Sequence, residues 1–273
     1  MTTAQKIIKY LAISFAIFLI ITIISTVLFG IYALSGALGL RNDDTEIMED
    51  LSTITFANQN VKELEIDITY TNLTIKNGDI FKVETDNNNL GYKESNNNLK
   101  IEEKNNNFLF NNKEGNVILY IPENIEFEKV KINTGAGKIY IENLNAEKLE
   151  FDIGAGETEI EKLNVTRECD IDGGAGKLNI LSGTISNLDL DMGIGEVNLT
   201  SILNKESEIN AGIGNLNITL QGDKESYKIK THKGLGTIRI DSTDMQDNQT
   251  LGSGENYIKI EGGIGNIKVD FEN

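Results

Sequence analysis

The sequence of 273 residues has one cysteine, one histidine, one proline and no tryptophan. Because Cys169 has no second cysteine in the chain, no internal disulfide can support the fold. A single histidine excludes zinc motifs that need two. One proline beside 26 glycines excludes Pro-rich disorder and collagen. Glycine is therefore left to make the corners of the chain.

Basic residues are also scarce. The chain has 25 Lys and Arg against 42 Asp and Glu, a net charge of −17. Binding to nucleic acid needs clustered basic side chains, so this balance disfavours a nucleic-acid partner. The length allows a sizeable core in one or two domains.

Charges are absent from Tyr10 to Leu40. About 20 apolar residues cross a bilayer as a helix, whereas the apolar part of a signal peptide is about 7–15 residues long. We therefore predict an uncleaved transmembrane signal-anchor helix over residues 10–38, with Ser35-Gly36-Ala37 as a weak alternative cleavage site. A buried soluble helix would have a polar face, which this run lacks.

The residues on either side of this run predict its orientation. Lys6 and Lys9 precede it, while five acidic residues in 43–50 follow it, together with Arg41 on the unfavourable side. Basic residues favour the cytoplasm. We expect a single-pass protein of the cell membrane, with residues 1–9 cytoplasmic and the C-terminal part outside.

Residues 39–60 are polar without a clear period and are predicted to be a linker. Short alternating segments such as Leu64–Ile68 and Val117–Ile121 predict strands over 61–130, interrupted by Asn-rich turns. No segment after Leu40 keeps a helical period. We predict an irregular β region over 61–130.

A Gly-x-Gly motif recurs through residues 131–273, in steps of 19, 20, 19, 19, 22 and 29 residues. Such a step is typical of stacked repeats of about 20 residues. The predicted corner glycines are Gly135, Gly137, Gly154, Gly156, Gly174, Gly176, Gly193, Gly195, Gly212, Gly214, Gly234, Gly236, Gly263 and Gly265.

Apolar residues occupy odd offsets before the first glycine of each repeat and even offsets after it. A continuous strand cannot exchange its faces, so each motif must shift the chain by one residue at a corner. The pattern predicts an all-β fold, a β-solenoid or β-helix-like stack preceded by one transmembrane helix. Among the outward positions, Asn179, Asn198 and Asn217 are predicted to form an amide ladder.

The segment from Val117 to Leu163, with Ile121-Pro122 ahead of the Gly-x-Gly series, resembles the bacterial putative-adhesin family, a domain of unknown function. The resemblance covers roughly residues 55–270. It implies a β-solenoid-like fold in a bacterial envelope protein. It brings no catalytic residues, so none is assigned.

Two ligand motifs can be set aside. A dinucleotide fingerprint needs a third glycine and a following helix, but a strand pattern follows each Gly-x-Gly here. Asp172 to Gly176 is similar to the calcium-binding nonapeptide, yet Lys177 stands where that repeat needs an aspartate. No cofactor is expected.

An acidic face is predicted on the outward positions two and four residues before the first glycines. Two interpretations stay open: a solvated surface, or a surface that binds a divalent cation or a cationic partner. The acidic face consists of Glu150, Asp152, Asp170, Asp172, Asp189, Asp191 and Glu208.

An enzyme is the weakest interpretation. Paired carboxylates could cleave a polysaccharide, but ladder geometry alone explains their spacing, and no site constellation accompanies them. His232 is expected to be an exposed bystander and Cys169 a small buried hydrophobe.

We expect a non-enzymatic, membrane-anchored envelope protein with an adhesin-like binding or scaffolding domain. The alternative is a regulatory or sensory protein that acts on a membrane partner, which the short body and the absence of a wall-sorting signal favour. Self-association end to end is a further possibility, because the final strand has no evident cap.

Overall fold

The computed structural model describes residues 51–95, 97–104 and 115–272. The predicted cytoplasmic segment, the predicted transmembrane helix and residues 39–50 of the linker lie outside them. Among the described residues, no helix has the length and apolarity to cross a bilayer. One short 3₁₀ turn, Lys224–Ser226, is the helical element of the described part.

The described residues are otherwise strands and their connections, so the all-β class is confirmed. The strands are β1 (Ser52–Thr55), β2 (Glu63–Ile68), β3 (Thr71–Gly78), β4 (Lys82–Thr85), β5 (Leu90–Ser95), β6 (Asn98–Glu103), β7 (Gly115–Pro122), β8 (Phe127–Ile180), β9 (Gly183–Ser186), β10 (Leu188–Asn204), β11 (Glu206–Gln221), β12 (Tyr227–His232), β13 (Thr237–Ile240), β14 (Thr243–Asp244), β15 (Gln249–Gly252) and β16 (Asn256–Glu272).

Strand β8 is a chain that folds back on itself. Its 54 residues would reach about 180 Å if straight. A Cβ placed on Gly154 would instead lie 2.1 Å from the carbonyl oxygen of Gly135, and one on Gly174 would lie 2.3 Å from that of Gly154. The first three repeats are therefore stacked one on another. We call each level a rung and name it by its first glycine.

The next repeats continue this stack in parallel register. Gly176 of β8 lies opposite Gly195 of β10, and Gly195 lies opposite Gly214 of β11. The residues at equal offsets are paired throughout, so each outward or inward position forms a column through the rungs. A step of about twenty residues along the sequence therefore leads from a position on one rung to the equivalent position on the next rung.

The order of the last two rungs differs from chain order. Gly214 lies opposite Gly265 of β16, while β12 and β13 pair with the other side of β16 through His232↔Glu261 and Thr237↔Asn266. The Gly263 rung therefore lies between the Gly212 and Gly234 rungs. The expectation that the final strand is uncovered is wrong, because β16 lies inside the sheet.

Two further rungs precede the Gly135 rung. Ile66 of β2 lies opposite Ile132, and Leu73 of β3 lies opposite Ile139. On the other side, β2 and β3 pair in parallel with β6 and β7. The predicted boundary at residue 130 is therefore wrong, since 63–78 and 98–122 belong to the stack. The prediction of a linker over residues 39–60 is also wrong for Ser52–Thr55, because these residues form β1.

Antiparallel strands cover both ends of the stack. At one end β4 pairs with β7, β1 pairs with β4, and β5 pairs with β6. At the other end β15 pairs with β12 and β14 pairs with β13. Unpaired edges are open to pairing with other chains. These short antiparallel strands pair with the outermost rungs and so cover edges that would otherwise be unpaired.

The core lies between the inward columns, as the alternation predicts. Ile132, Phe151, Ile171, Leu190, Ile209 and Ile260 are all buried three residues before the first glycines. Thr158 and Thr231, the polar members of these columns, are also fully buried. Burial of each large aliphatic side chain stabilises the fold by roughly 1.5–3 kcal/mol.

Candidate binding surface on the stacked repeats

The corners of the rungs depend on glycine for two reasons. The second glycines, such as Gly156 and Gly195, have φ of 139° and 149°, a region that side chains with a Cβ rarely adopt. The corners also pack tightly, since a Cβ on Gly214 would lie 1.7 Å from the carbonyl oxygen of Gly195. Peptide backbone therefore forms much of the surface at the corner.

The strands that precede these corners place the residues of the acidic face next to one another. Asp170 lies opposite Asp189, and Asp172 lies opposite Asp191. Glu208 follows Asp189 on the next rung. Parallel rungs are about 4.8 Å apart, so like charges repeat at that interval along two columns. Such an arrangement is destabilising by itself.

Lysines neutralise the two ends of the acidic face. Glu150 pairs with Lys129 at 2.5 Å and with Lys131 at 3.3 Å. At the other end Lys259 lies 2.8 Å from Glu208 and 2.6 Å from Glu261. No ion pair among the described residues involves the aspartates between them: Asp152, Asp170, Asp172, Asp189 and Asp191.

The negative charges of the central carboxylates affect one another's pKa values. Partial loss of water, followed by the charges of Asp172 and Asp189, raises the pKa of Asp170. Partial loss of water and the charges of Asp191 and Glu208 raise the pKa of Asp189 in the same way. In contrast, hydrogen bonding to Lys129 is the largest effect on Glu150 and lowers its pKa. The middle of the face therefore carries the uncompensated charge.

The acidic face does not converge on a metal position. In the described part of the chain, no three His, Cys, Asp or Glu side chains are grouped so that they could hold an ion. The aspartates form a line of charge that suits an elongated cationic partner.

A shallow groove of about 520 Å³ runs across four rungs beside this line. Its acidic and polar lining comprises Asp172, Asp191, Asn210 and Glu261. Small residues, including Gly193, Gly212 and Gly263, line the rest of it together with Met192. The side-chain oxygen of Asn210 is buried without a hydrogen-bond partner. The groove thus combines negative charge with accessible backbone.

An aliphatic row follows the groove glycines in the chain. Ile194 and Ile264 are 41% and 42% exposed and Leu235 is 66% exposed, while Ile213 is half-buried. Ile194 lies opposite Ile213, and Ile213 lies opposite Ile264. We call Ile194, Ile213, Ile264 and Leu235 the corner row. In the sequence these residues stand between the two glycines, where the earlier repeats have Ala136, Ala155 and Ala175.

The opposite side of each corner is occupied by internal contacts. Asn198 donates to Asn179 at 2.8 Å and accepts from Asn217 at 2.8 Å, which is the amide ladder expected from the sequence. Lys177 and Glu196 approach within 3.9 Å in the neighbouring column. These side chains form hydrogen bonds and an ion pair with one another, so fewer of their polar atoms are free to bind a ligand.

The cysteine and the histidine have no evident site of their own. Cys169 is fully buried, and burial raises the pKa of its thiol, as expected for a buried hydrophobe. His232 is half-buried, rather than an exposed bystander, and lies opposite Glu261 on the next rung. Hydrogen bonding to Lys259 is the largest effect on Glu261 and lowers its pKa.

Comparisons with known proteins identify a family. A family model described as Toastrack DUF4097 matches residues 61–269. No curated protein matches the chain.

A comparison with solved structures also gave matches over most of the chain. A "putative cell adhesion protein" from Clostridium sporogenes is 16% identical, with 81% of this chain and 99% of that chain covered and a TM-score of 0.35. A "putative adhesin" from Bacteroides fragilis is 16% identical, with coverages of 81% and 97% and a TM-score of 0.36. One from Parabacteroides distasonis is 14% identical, with coverages of 82% and 98% and a TM-score of 0.36.

Proposed function

The chain belongs to the Toastrack DUF4097 family, and from that premise we propose that it is a non-enzymatic binding domain held at the outer face of the cell membrane. The domain binds a cationic partner through the acidic face, in an adhesin-like or scaffolding role. The observation that carries this proposal is the line of aspartates between Glu150 and Glu208, which form no ion pair within the part of the chain that the structure describes.

A β-solenoid gives such a surface its regularity. The in-register pairing of Asp170 with Asp189 and of Asp172 with Asp191 supports this finer description of the fold. A stack of parallel rungs holds its outward side chains at a fixed spacing along one axis. A rigid row of charges pays little conformational entropy when a partner binds along it.

Membrane attachment is proposed from the sequence of the N-terminal part. The uncharged run from Tyr10 to Leu40 exceeds the length needed to cross a bilayer. Lys6 and Lys9 before it favour a cytoplasmic N-terminus. In that orientation the stack lies outside the cytoplasm, where it could meet either another envelope protein or a surface ligand.

A non-enzymatic role is supported by the geometry of the carboxylates. General acid–base chemistry needs groups that converge on one reacting bond. The aspartates of the acidic face instead repeat along two parallel columns, and the neighbouring groove is shallow. This arrangement supports recognition of an extended charged surface.

In-cell crosslinking of the full-length chain, followed by mass spectrometry of the captured material, tests the proposal. We expect capture by the native chain and loss of capture when Asp152→Asn, Asp172→Asn and Asp191→Asn are combined. The matched control combines Glu126→Gln, Glu157→Gln and Glu159→Gln, which removes the same charge elsewhere. Equal capture by both triple variants would contradict a role for the acidic face.

The identity of the captured material separates two roles. A specific membrane protein would favour the regulatory role. Retention on isolated cell wall or on foreign surfaces, without a protein partner, would favour adhesion.

A further inference from the structure

We propose that the corner row and the adjoining groove form one docking strip for a basic amphipathic helix of a partner protein. The inference rests on the proposed function, because it specifies what kind of cationic partner the acidic face receives. The aliphatic side chains of the helix would cover the corner row, and its lysines or arginines would meet the carboxylates of the groove.

The first argument is that three of the four members of the corner row are exposed and the fourth, Ile213, is half-buried. Isolated surface aliphatics are common, but a contiguous apolar row beside polar groups is typical of an interaction site. Ile194, Ile213 and Ile264 lie opposite one another on three successive rungs. The backbone N–H of Leu235 donates to the carbonyl of Gly263 at 2.7 Å, which extends the row to a fourth rung.

The second argument is the spacing of the row. Successive members are about 4.8 Å apart along the stack. Successive turns of an α-helix are about 5.4 Å apart, and side chains three or four residues apart share one face. A helix parallel to the stack axis can therefore place one aliphatic side chain against each rung over about three turns. Next-neighbour residues on one face of a β-strand are almost 7 Å apart and fit this interval less well.

The third argument is charge. Each of Gly193, Gly212 and Gly263 lines the groove and directly precedes a member of the corner row. The same groove is lined by Asp172, Asp191 and Glu261. Basic residues beside the apolar face of a helix would complement Asp172 and Asp191, whereas Glu261 is already paired with Lys259.

Charge also decides against other occupants. A second copy of this chain would bring its own aspartates against the first set, and like charges repel. An anionic lipid surface would be repelled by Asp172 and Asp191 for the same reason. A basic polypeptide segment gains from both the corner row and the groove.

A synthetic peptide can test the inference. The probe is a fluorescent 14-residue helix-forming peptide with leucines along one face and lysines on either side of them. Binding is measured by anisotropy to the full-length chain in phosphatidylcholine nanodiscs, with empty nanodiscs subtracted. A scrambled peptide of the same composition has no apolar face and is the peptide control.

We expect Ile194→Thr, Ile213→Thr and Ile264→Thr together to weaken binding at least tenfold while its salt dependence remains. Threonine keeps the β-branch that suits a strand. Ile80→Thr is the matched control, because Ile80 is also 42% exposed, and it should change affinity less than twofold. Leu235→Thr alone, at the most exposed member of the row, should weaken binding and gives a second readout if the triple variant folds poorly.

Charge variants separate this inference from the proposed function. Asp172→Asn with Asp191→Asn should weaken binding and flatten its dependence on salt. If this pair weakens binding while the threonine variants bind like the native chain, the acidic face retains its role and the docking strip is overturned. Equal binding of the scrambled peptide also overturns it. If neither set of variants changes binding, both proposals fail.

Discussion

Gly214 lies opposite Gly265, although the Gly234 rung comes between them in the chain. The chain therefore passes over one level, forms the outermost Gly-x-Gly rung with β12 and β13, and returns to fill the vacant level with β16. The opposite end has the same arrangement, since β2 and β3 lie inside β6 and β7. At each end of the stack, the strands next to the middle rungs are paired on both sides, because a further rung lies outside them.

Hydrogen exchange should reveal the interior position of β16. Its backbone is paired on both sides, whereas β15 is paired with β12 alone among the described strands. We expect peptides from 258–269 to exchange far more slowly than those from 249–252, and at a rate similar to peptides from β11. Mass spectrometry of the exchanged full-length chain measures this. Equally fast exchange in β16 and β15 would contradict the strand order.

A methyl group at a corner should be costly. Gly214→Ala places a Cβ 1.7 Å from the carbonyl oxygen of Gly195 and forces alanine to adopt a φ of 143°. We expect a loss of at least about 2 kcal/mol in the free energy of unfolding. Gly222→Ala is the control, because its φ is also positive at 92° but no atom lies within 4 Å. Denaturant titrations should give the control a clearly smaller loss.

The amide ladder should contribute in a graded way. Asn198→Ala removes the bonds to Asn179 and Asn217 and a third bond to Glu196, whereas Asn217→Ala removes one bond. A hydrogen bond of this kind contributes about 0.5–1.5 kcal/mol. Thermal unfolding should therefore show a clearly larger loss for Asn198→Ala than for Asn217→Ala. Equal losses would mean that the bonds do not contribute separately.

The central aspartates should make stability depend on pH. Because the folded pKa of Asp170 and of Asp189 is raised, their protonated forms favour the folded state, and this contribution is lost as pH rises through the folded pKa. Asp170→Asn with Asp189→Asn should therefore raise the melting temperature at pH 7. The advantage should shrink as pH falls below about 4, where the native aspartates also become neutral.

Lysine-paired carboxylates provide the opposite control for that experiment. The pKa of Glu150 is lowered, so its contribution is present at neutral pH and is lost as pH falls through the folded pKa. Glu150→Gln should lower the melting temperature at pH 7, with a difference that also narrows in acid. A gain for Glu150→Gln at neutral pH would contradict the role assigned to Lys129 and Lys131.

Local periodicity predicted much of the fold. The positions of Ile132, Phe151 and Ile171 in the core follow from the alternation around each glycine motif. The ladder from Asn179 to Asn217 follows from a constant step. Both depend on interactions between repeats of equal length, which the sequence displays directly.

The two rungs before the Gly135 rung were missed because they lack the glycine motif. Thr69, Tyr70 and Thr71 stand at the corner between β2 and β3. The parity of the apolar residues nevertheless changes there, from Ile66 and Ile68 to Leu73 and Ile75, as it does at every Gly-x-Gly. That signal could have identified the rung. The strand order at the ends could not be predicted, because pairing between distant strands leaves no step in the sequence.

The candidate site was predicted in part. The alternation placed the aspartates on one outward face, and the structure brings Asp170 and Asp172 opposite Asp189 and Asp191. The groove and the exposure of Ile194 and Ile264 depend on which corner atoms neighbouring rungs cover, and that is a property of three-dimensional packing.

The place of β16 also constrains how the chain acquires its shape during synthesis. Strands β12 and β13 leave the ribosome before the strand with which they pair in parallel has been made. The levels from Gly135 to Gly212 can form one after another as they emerge, because each needs only its predecessor. The end that contains β12 and β13 can form only after β16 has been made, and its formation closes a long loop. This step is slow, which favours shielding by chaperones. A nascent chain that has emerged from the ribosome only as far as residue 250 would therefore hold a finished middle with an open end.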